Sequence, residues 1–91
     1  MSGYALAKLS GVRFADVKQQ LEKDALEHAR NGMHLERLWK NADDPAEVWF
    51  LFRVDDLNQC KQHMGKVHAE ARRTDPNAKL PQLVFLSEEK A

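Results

Sequence analysis

The alternation of hydrophobic and polar positions divides the chain into short strands and amphipathic helices. Residues 4–9 are mostly apolar and precede the turn-forming pair Ser10-Gly11, so they predict a first strand. From residue 14 to about residue 30, apolar residues recur at steps of three and four, which is the spacing of one helix face. Asn31-Gly32 then marks the end of that helix, because glycine readily adopts the left-handed conformation that closes a helix.

A β-hairpin is predicted in the middle of the chain. Residues 34–40 form its first strand, residues 41–45 are dense in turn formers, and residues 47–54 are rich in β-branched and aromatic residues. If Lys40 lies opposite Glu47, their charges pair across the two strands. One face then holds Leu35, Arg37, Trp39, Val48, Phe50, Phe52 and Val54, and the other holds His34, Glu36, Leu38, Trp49, Leu51 and Arg53. A slip of one residue would exchange the partners and invert one strand relative to the other.

A second helix and a last strand follow the hairpin. Asp56 and Gln59 have the spacing of a helix-capping box, and the helix is expected to end before residues 74–77. Its apolar stripe consists of Leu57, Cys60, Met64, Val67 and Ala71. Pro81 opens a final strand at residues 82–86, and the charged residues 87–91 are expected to fray.

This order of elements is that of a split βαβ motif. We therefore predict an α+β, ferredoxin-like βαββαβ fold with an antiparallel four-stranded sheet. Residues 1–91 are expected to form a single domain with its core at about residues 4–86. Such a small domain buries a limited fraction of its surface, so a further stabiliser is expected. Cys60 is the only cysteine, which excludes disulfides and fits a reducing compartment, so dimerisation is the remaining route.

Charge and hydropathy exclude several classes of function. The 14 basic and 14 acidic residues give zero net charge, whereas a dedicated nucleic-acid binder needs a basic excess. RNA recognition motifs share the βαββαβ order, but residues 47–54 lack the glycine of their third-strand motif and begin with an acid. No stretch approaches the roughly 18 apolar residues of a membrane span, and residues 1–10 do not resemble a signal peptide. We therefore expect a cytoplasmic protein with no nucleic-acid or membrane partner.

The region between residues 32 and 57 resembles the dimeric α+β barrel superfamily, in particular small antibiotic biosynthesis monooxygenase domains. The similar features are Gly32 at the helix end, a strand with Arg37 and Trp39, a hairpin at residues 41–48, and an apolar strand that runs into residues 55–57. The resemblance implies a homodimer whose two sheets face each other as a barrel, with helices on the outside. Members of the superfamily include cofactor-free oxygenases of aromatic polyketides, haem-degrading oxygenases and isomerases of small lactones.

No cofactor and no metal are expected. Haem-degrading members resemble one another in a first-strand asparagine and in a tryptophan and a histidine on the second helix. The first strand here has no asparagine and the second helix has no tryptophan. His63 and His68 lie about 140° apart around a helix. The four histidines of the chain show no metal-ligand spacing and have no cysteine ligand nearby; they are His28, His34, His63 and His68. The three histidines on the predicted helices are expected on solvated or rim faces.

The predicted register brings four candidate site residues onto one sheet face. On the barrel model, His34, Glu36, Trp49 and Arg53 point into the space between the subunits. His34 would act as the base and Arg53 would stabilise developing negative charge, while Glu36 and Trp49 would bind an anionic or phenolic ligand. The alternative is an inter-subunit salt bridge of Glu36 with Arg53, with Trp49 in the dimer core.

Three further residues are secondary candidates for substrate binding. Tyr4 would supply a phenol to the same cavity or the opposite one. Arg37 is an anomaly on an apolar face, where it either extends to the sheet edge or marks the mouth of a pocket. Trp39 is expected in the core with Phe50 and Phe52, or alternatively in the aromatic wall of a pocket between the sheet and the helices. Cys60 is expected to be a buried small hydrophobe.

The residues and the resemblance favour a small-molecule-binding homodimer. As an enzyme, it would be a cofactor-independent monooxygenase-like or isomerase-like protein acting on a small aromatic or lactone metabolite. The alternative is a non-catalytic ligand-binding or protein-interaction module. A ligand cavity without a base within reach would favour that alternative.

Overall fold

A computed structural model of the chain describes residues 2–89. Its elements are β1 (Gly3–Ser10), α1 (Phe14–Lys23), α2 (Ala25–Arg30), β2 (Met33–Asn41), β3 (Asp44–Val54), α3 (Leu57–Thr74) and β4 (Gln82–Ser87). All four strands form one antiparallel sheet in the order β2-β3-β1-β4, which confirms the predicted α+β, ferredoxin-like fold. In the predicted frayed tail, Ser87 ends β4, and residues 90 and 91 lie outside the described residues. No helix of residues 2–89 combines the length and hydrophobicity needed to cross a bilayer.

One face of the sheet forms the hydrophobic core, which we call the core face. Alternate residues of β1 and β3 point into it, as expected for a half-buried sheet. Phe50 and Phe52 are buried there with their rings edge to face at 5.8 Å, as predicted. The helices cover this face. Their buried side chains are Val17, Leu21, Leu57 and Cys60.

The long helix expected at residues 14–30 is interrupted at Asp24, which separates α1 from α2. The backbone N–H of Asp24 donates to the carbonyl of Gln20 at 3.0 Å, and that of His28 donates to the carbonyl of Asp24 at 2.9 Å. These bonds to the fourth residue back keep the pitch of an α-helix across the interruption. Gln20, Asp24 and His28 therefore follow one another on the same side of the segment.

The hairpin begins in the predicted register and then departs from it. His34 lies opposite Arg53, and Leu35 lies opposite Phe52, as predicted. A β-bulge follows at Glu36, and the pairs from Arg37 to Lys40 are displaced by one residue, before a second register shift between Lys40 and Asn41. Lys40 consequently lies opposite Val48, so the predicted pairing of Lys40 with Glu47 is wrong.

The bulge reverses the faces predicted for the second half of β2. Opposite residues of a strand pair share a face, and Arg37 lies opposite Leu51 while Trp39 lies opposite Trp49. Arg37 and Trp39 are therefore on the face away from the helices, and Trp39 is 44% exposed instead of buried in the core. Leu38 is turned toward the core instead, because the extra residue puts the two halves of the strand out of step.

The second face of the sheet, which we call the open face, is covered by none of the helices of residues 2–89. Its middle is apolar, and Val84 there is 53% exposed. Polar side chains lie toward its ends. By register it carries Tyr4, Leu6, Lys8, His34, Arg37, Trp39, Trp49, Leu51, Arg53, Val84 and Leu86.

Candidate functional site

A cleft of about 1040 Å³ lies between the helices and the core face, and we call it the helix–sheet cleft. Phe50 and Phe52 contribute to its floor, and the small side chain of Ala5 leaves space beside them. The apolar stripes of the helices form its walls. Val17 and Leu21 come from α1, and Met64, Val67 and Ala71 come from α3. A cavity of this size and composition is typical of small-molecule sites, which measure about 300–1,000 Å³.

Two histidines line the helix–sheet cleft. His28 comes from α2 and packs edge-on against Phe52, with 5.0 Å between the ring centroids. His68 comes from α3, where it lies one turn after Met64 on the apolar stripe. Each is partly buried in this cleft, which agrees with the predicted rim positions and excludes fully solvated ones.

Partial burial favours the neutral form of both imidazoles. Desolvation is the largest cause that lowers the pKa of His28, and the carboxylate of Asp24 opposes it in part. Desolvation also lowers the pKa of His68, and the neighbouring Arg72 lowers it further. A neutral imidazole accepts a proton from a ligand, so the cleft holds candidate bases at neutral pH.

Charged groups lie at one end of the helix–sheet cleft. The Arg13 guanidinium lies 3.4 Å from the carboxylate of Asp16 at the start of α1. The Lys79 ammonium donates to the carbonyl oxygen of Gly11, which joins the loop before β4 to the loop after β1. The cleft therefore runs from a charged end to an apolar interior.

A smaller cavity of about 340 Å³ adjoins the cleft on the side of β2. The two cavities share Leu21, His28, Met33 and Phe52 as lining residues. His28 thus lies at the boundary between them.

The open face holds the site residues predicted from the sequence, and a third residue links two of them. Nε2 of His34 and Oδ2 of Asp55 are 3.1 Å apart, and Nη1 of Arg53 donates to Oδ1 of Asp55 at 3.2 Å. The Glu36 carboxylate lies 4.0 Å from Nε of Arg53. Asp55 itself is fixed by its backbone N–H, which donates to the carbonyl of Gly32 at 2.9 Å. His34 and Arg53 therefore belong to an ion-pair network.

Trp49 lies apart from this network. Four residues separate it from Arg53 along β3, which is about 13 Å in a strand. Its indole N–H donates to the Glu47 carboxylate at 2.7 Å, and the Lys8 ammonium lies 5.6 Å from its ring centroid. Hydrogen bonds from Asn41 and Trp49 lower the pKa of Glu47. The four primary candidates therefore do not converge on one point within a single chain.

The secondary candidates also lie on the open face. Tyr4 is opposite Arg53, and Trp39 is opposite Trp49. Nη1 of Arg37 donates to the backbone carbonyl of Glu36 at 3.0 Å. None of these three side chains lines the helix–sheet cleft.

Neither the Cys60 thiol nor a cluster of metal-ligating side chains in residues 2–89 provides a reactive centre. Cys60 is 1% exposed, as predicted, and burial raises the pKa of its thiol, which opposes formation of a nucleophilic thiolate. Within residues 2–89, no three His, Cys, Asp or Glu side chains are arranged to hold a metal ion.

Comparisons with known proteins bear on the fold. No protein-family model matches the chain, and no curated protein matches it. A crystal structure from Deinococcus radiodurans, of a protein described provisionally as an antibiotic biosynthesis monooxygenase, is similar with a TM-score of 0.64 and 18% sequence identity. The similarity covers 100% of this chain and 95% of that one. The chain has the fold of antibiotic biosynthesis monooxygenase-like domains. At this low identity, the similarity concerns the fold alone.

Within this fold, sequence reasoning missed the residues of the helix–sheet cleft. His68 follows Met64 by four residues, so the helical period did place it on the buried stripe. Asp56, predicted from its spacing to Gln59 as the helix cap, has that role, and its side chain accepts from the backbone N–H of Gln59. The helical periodicity placed His68 on the buried stripe, but it did not indicate the width of the cleft.

Proposed function

We propose that this monooxygenase-like protein binds a small aromatic or lactone molecule in the helix–sheet cleft and removes a proton from it. The observation that carries the proposal is a cleft of about 1040 Å³ that is mainly apolar and has neutral imidazoles at its lining. The apolar lining suits a planar ring, and His28 and His68 are the polar groups that would orient it.

Proton removal suits chemistry that needs no cofactor. A phenol or enol that loses its proton becomes an electron-rich anion, and such an anion can react with dioxygen directly. Removal of a proton next to a carbonyl would also begin the isomerisation of a lactone. The first reaction is favoured, because the similar crystal structure is described as a monooxygenase. The low polarity of the cleft strengthens hydrogen bonds to the developing anion.

The binding proposal is tested with a pair of substitutions on α3. Ala71 lines the cleft, whereas Ala69 is exposed and does not line it. Ala71→Phe fills space in the cleft, so it is expected to weaken binding of a fluorescent naphthol by at least about tenfold, since one lost ring contact is worth more than 1.4 kcal/mol. Ala69→Phe is expected to bind as the wild type does. Equal affinities in all three proteins would contradict the cleft as the binding site.

Catalysis is tested separately by oxygen uptake with a panel of hydroxylated aromatic compounds. The account expects uptake by the wild type, and a loss of about 10²-fold or more when His28 and His68 are both replaced by Gln. Tight binding without oxygen uptake or isomerisation would instead support a non-catalytic ligand-binding module.

We also propose that a second copy of the chain covers the open face. Leu6, Leu51 and Val84 form an apolar strip there, with charged networks around Arg53 at one end and Glu47 at the other. Apolar burial in the middle and polar contacts at the rim are the usual anatomy of a protein interface. The site residues predicted from the sequence would then line the space between two sheets. The free buried thiol of Cys60 supports the proposal that the dimer works in the cytoplasm.

A further inference from the structure

Three side chains form a ladder along one wall of the helix–sheet cleft. Gln20, Asp24 and His28 all line the cleft and are spaced four residues apart. Helical hydrogen bonds continue through Asp24, so the three side chains stay neighbours across the break between α1 and α2. Nε2 of Gln20 donates to Oδ2 of Asp24 at 2.7 Å, which restrains the carboxylate.

The charged and titratable groups around His28 come from α1, α2, α3 and β2 and from the break between α1 and α2. Asp24 at the helix break and Glu27 on α2 favour its protonated form, and His63 on α3 disfavours it. Glu22 and His34 share the smaller cavity with it. Asp24 is the largest of the influences that favour protonation, and Gln20 donates to its carboxylate at 2.7 Å, whereas the Glu27 carboxylate lies 3.7 Å from the guanidinium of Arg30.

His68 has a cationic neighbour, whereas His28 has an anionic one. Arg72 follows it by four residues on α3, and this cation opposes protonation of the imidazole. Asp24 and Arg72 thus act on two imidazoles of one cleft with opposite sign. Burial lowers both pKa values, and these two charges then act in opposite directions, so they favour proton uptake at His28 over proton uptake at His68.

We infer that the two imidazoles have different roles, with Asp24 as the positioning residue that makes His28 the base, and with His68, beside Arg72, as the donor to the ligand oxygen. The inference rests on the proposed function and names the ligand class as a molecule with a weakly acidic hydroxyl. The O–H bond of the ligand breaks, its proton binds to an imidazole nitrogen of His28, and the electron pair stays on the ligand oxygen. Asp24 stabilises the imidazolium, and the neutral His68 donates to the new oxyanion. No electron is transferred in this step.

The test is an NMR titration of the histidine Cε1–Hε1 resonances in the full-length protein. Asp24→Asn is expected to move the titration midpoint of His28 to lower pH, while Glu27→Gln moves it less. Arg72→Gln is expected to raise the midpoint of His68 and leave that of His28 in place. Gln20→Leu keeps all charges and removes the restraint on Asp24, so it gives a second, milder probe if Asp24→Asn folds poorly.

A binding measurement completes the test. Bound naphtholate, read from the red-shifted absorbance of the ionised ring, is expected to fall by at least about tenfold in Asp24→Asn, which corresponds to one pH unit. Binding of the neutral naphthol is expected to persist. An unchanged midpoint of His28 in Asp24→Asn, or an equal change in Glu27→Gln, would overturn the inference while leaving the cleft as a binding site. Failure of the wild type to bind any naphthol would overturn the proposed function itself, whatever the titrations show.

Discussion

Burial in the helix–sheet cleft favours the neutral form of His28 and His68, because the imidazolium loses hydration there. The sequence placed both residues on helices but did not indicate that a cavity lies on their buried side. His28 follows Leu21 by seven residues, so its position on the buried side was predictable. The width of the gap between α1 and α3 was not, since it depends on how two stripes of side chains pack on the sheet.

The lowered pKa values predict a loss of stability in mild acid. Both histidines have a lower pKa in the folded than in the unfolded chain, so below a pH of about 6.5 the unfolded chain binds protons first. The free energy of unfolding is therefore expected to be level above pH 7 and to decline from about pH 6.5 toward pH 5. Urea denaturation across this pH range measures the free energy of unfolding. Glu47 stays ionised down to pH 5, because its pKa is lowered.

The matched control replaces both histidines by Gln. This double variant is expected to keep a nearly level free energy of unfolding between pH 7 and pH 5. A decline as steep as that of the wild type would show that other groups are responsible.

At the scale of secondary-structure elements, local signals were reliable and the strand register was only half predictable. The hairpin, the helix end at Gly32 and the cap at Asp56 were all readable from local residue types. The bulge at Glu36 was not, because no glycine or proline marks it and the residues beyond it suit either face. The predicted ion pair between Lys40 and Glu47 does not form, because the register shift puts Lys40 opposite Val48. The carboxylate of Glu47 is bound by Asn41 and Trp49 instead.

Gly32, between α2 and β2, and Gly65, within α3, differ in how well they would accept a side chain. Gly32 has a φ of +72°, and a Cβ added there would lie 3.3 Å from the Asp55 side chain. Gly65 lies within α3, and nothing is within 4 Å of an added Cβ. Gly32→Ala is expected to lower the free energy of unfolding by about 1–2 kcal/mol, whereas Gly65→Ala is expected to raise it by about 0.5–1 kcal/mol.

Chemical denaturation of the two variants beside the wild type measures both changes. The interpretation of Gly32 as an obligatory left-handed helix stop would be wrong if Gly32→Ala were as stable as the wild type. Destabilisation by Gly65→Ala would contradict its position in a regular, exposed helix turn.

At the scale of the whole molecule, two candidate sites lie on opposite faces of one sheet, and His34 on the edge strand β2 also lines the smaller cavity beside the cleft. The helix–sheet cleft lies on its core face, and the predicted group around His34 and Arg53 lies on its open face. The sequence correctly placed His34 opposite Arg53, because these residues precede the bulge. The distance between Trp49 and Arg53 follows from the rise per residue along a strand. Only the three-dimensional packing revealed the cleft as the larger cavity.

If the open face forms the dimer interface, a charge introduced there should reduce the molecular mass in solution from that of a dimer to that of a monomer. Leu51 lies between Leu6 and Arg37 near the middle of that face, whereas Leu26 is a 76% exposed leucine on α2. By light scattering across a dilution series, the wild type is expected to be a dimer. Leu51→Asp is expected to be a monomer with native circular dichroism, and Leu26→Asp is expected to stay dimeric. A folded wild-type monomer at all concentrations would contradict the barrel.

The central claim is that the ligand site is the helix–sheet cleft, and its most direct test is a methyl NMR map of naphthol binding to the wild-type protein. Saturating ligand is expected to shift the methyl resonances of Val17, Leu21 and Met64, which line the cleft. Resonances of Leu6, Leu51 and Val84 on the open face are expected to stay in place. Shifts confined to these open-face methyl groups would contradict the claim and would place the site between the two sheets of the dimer.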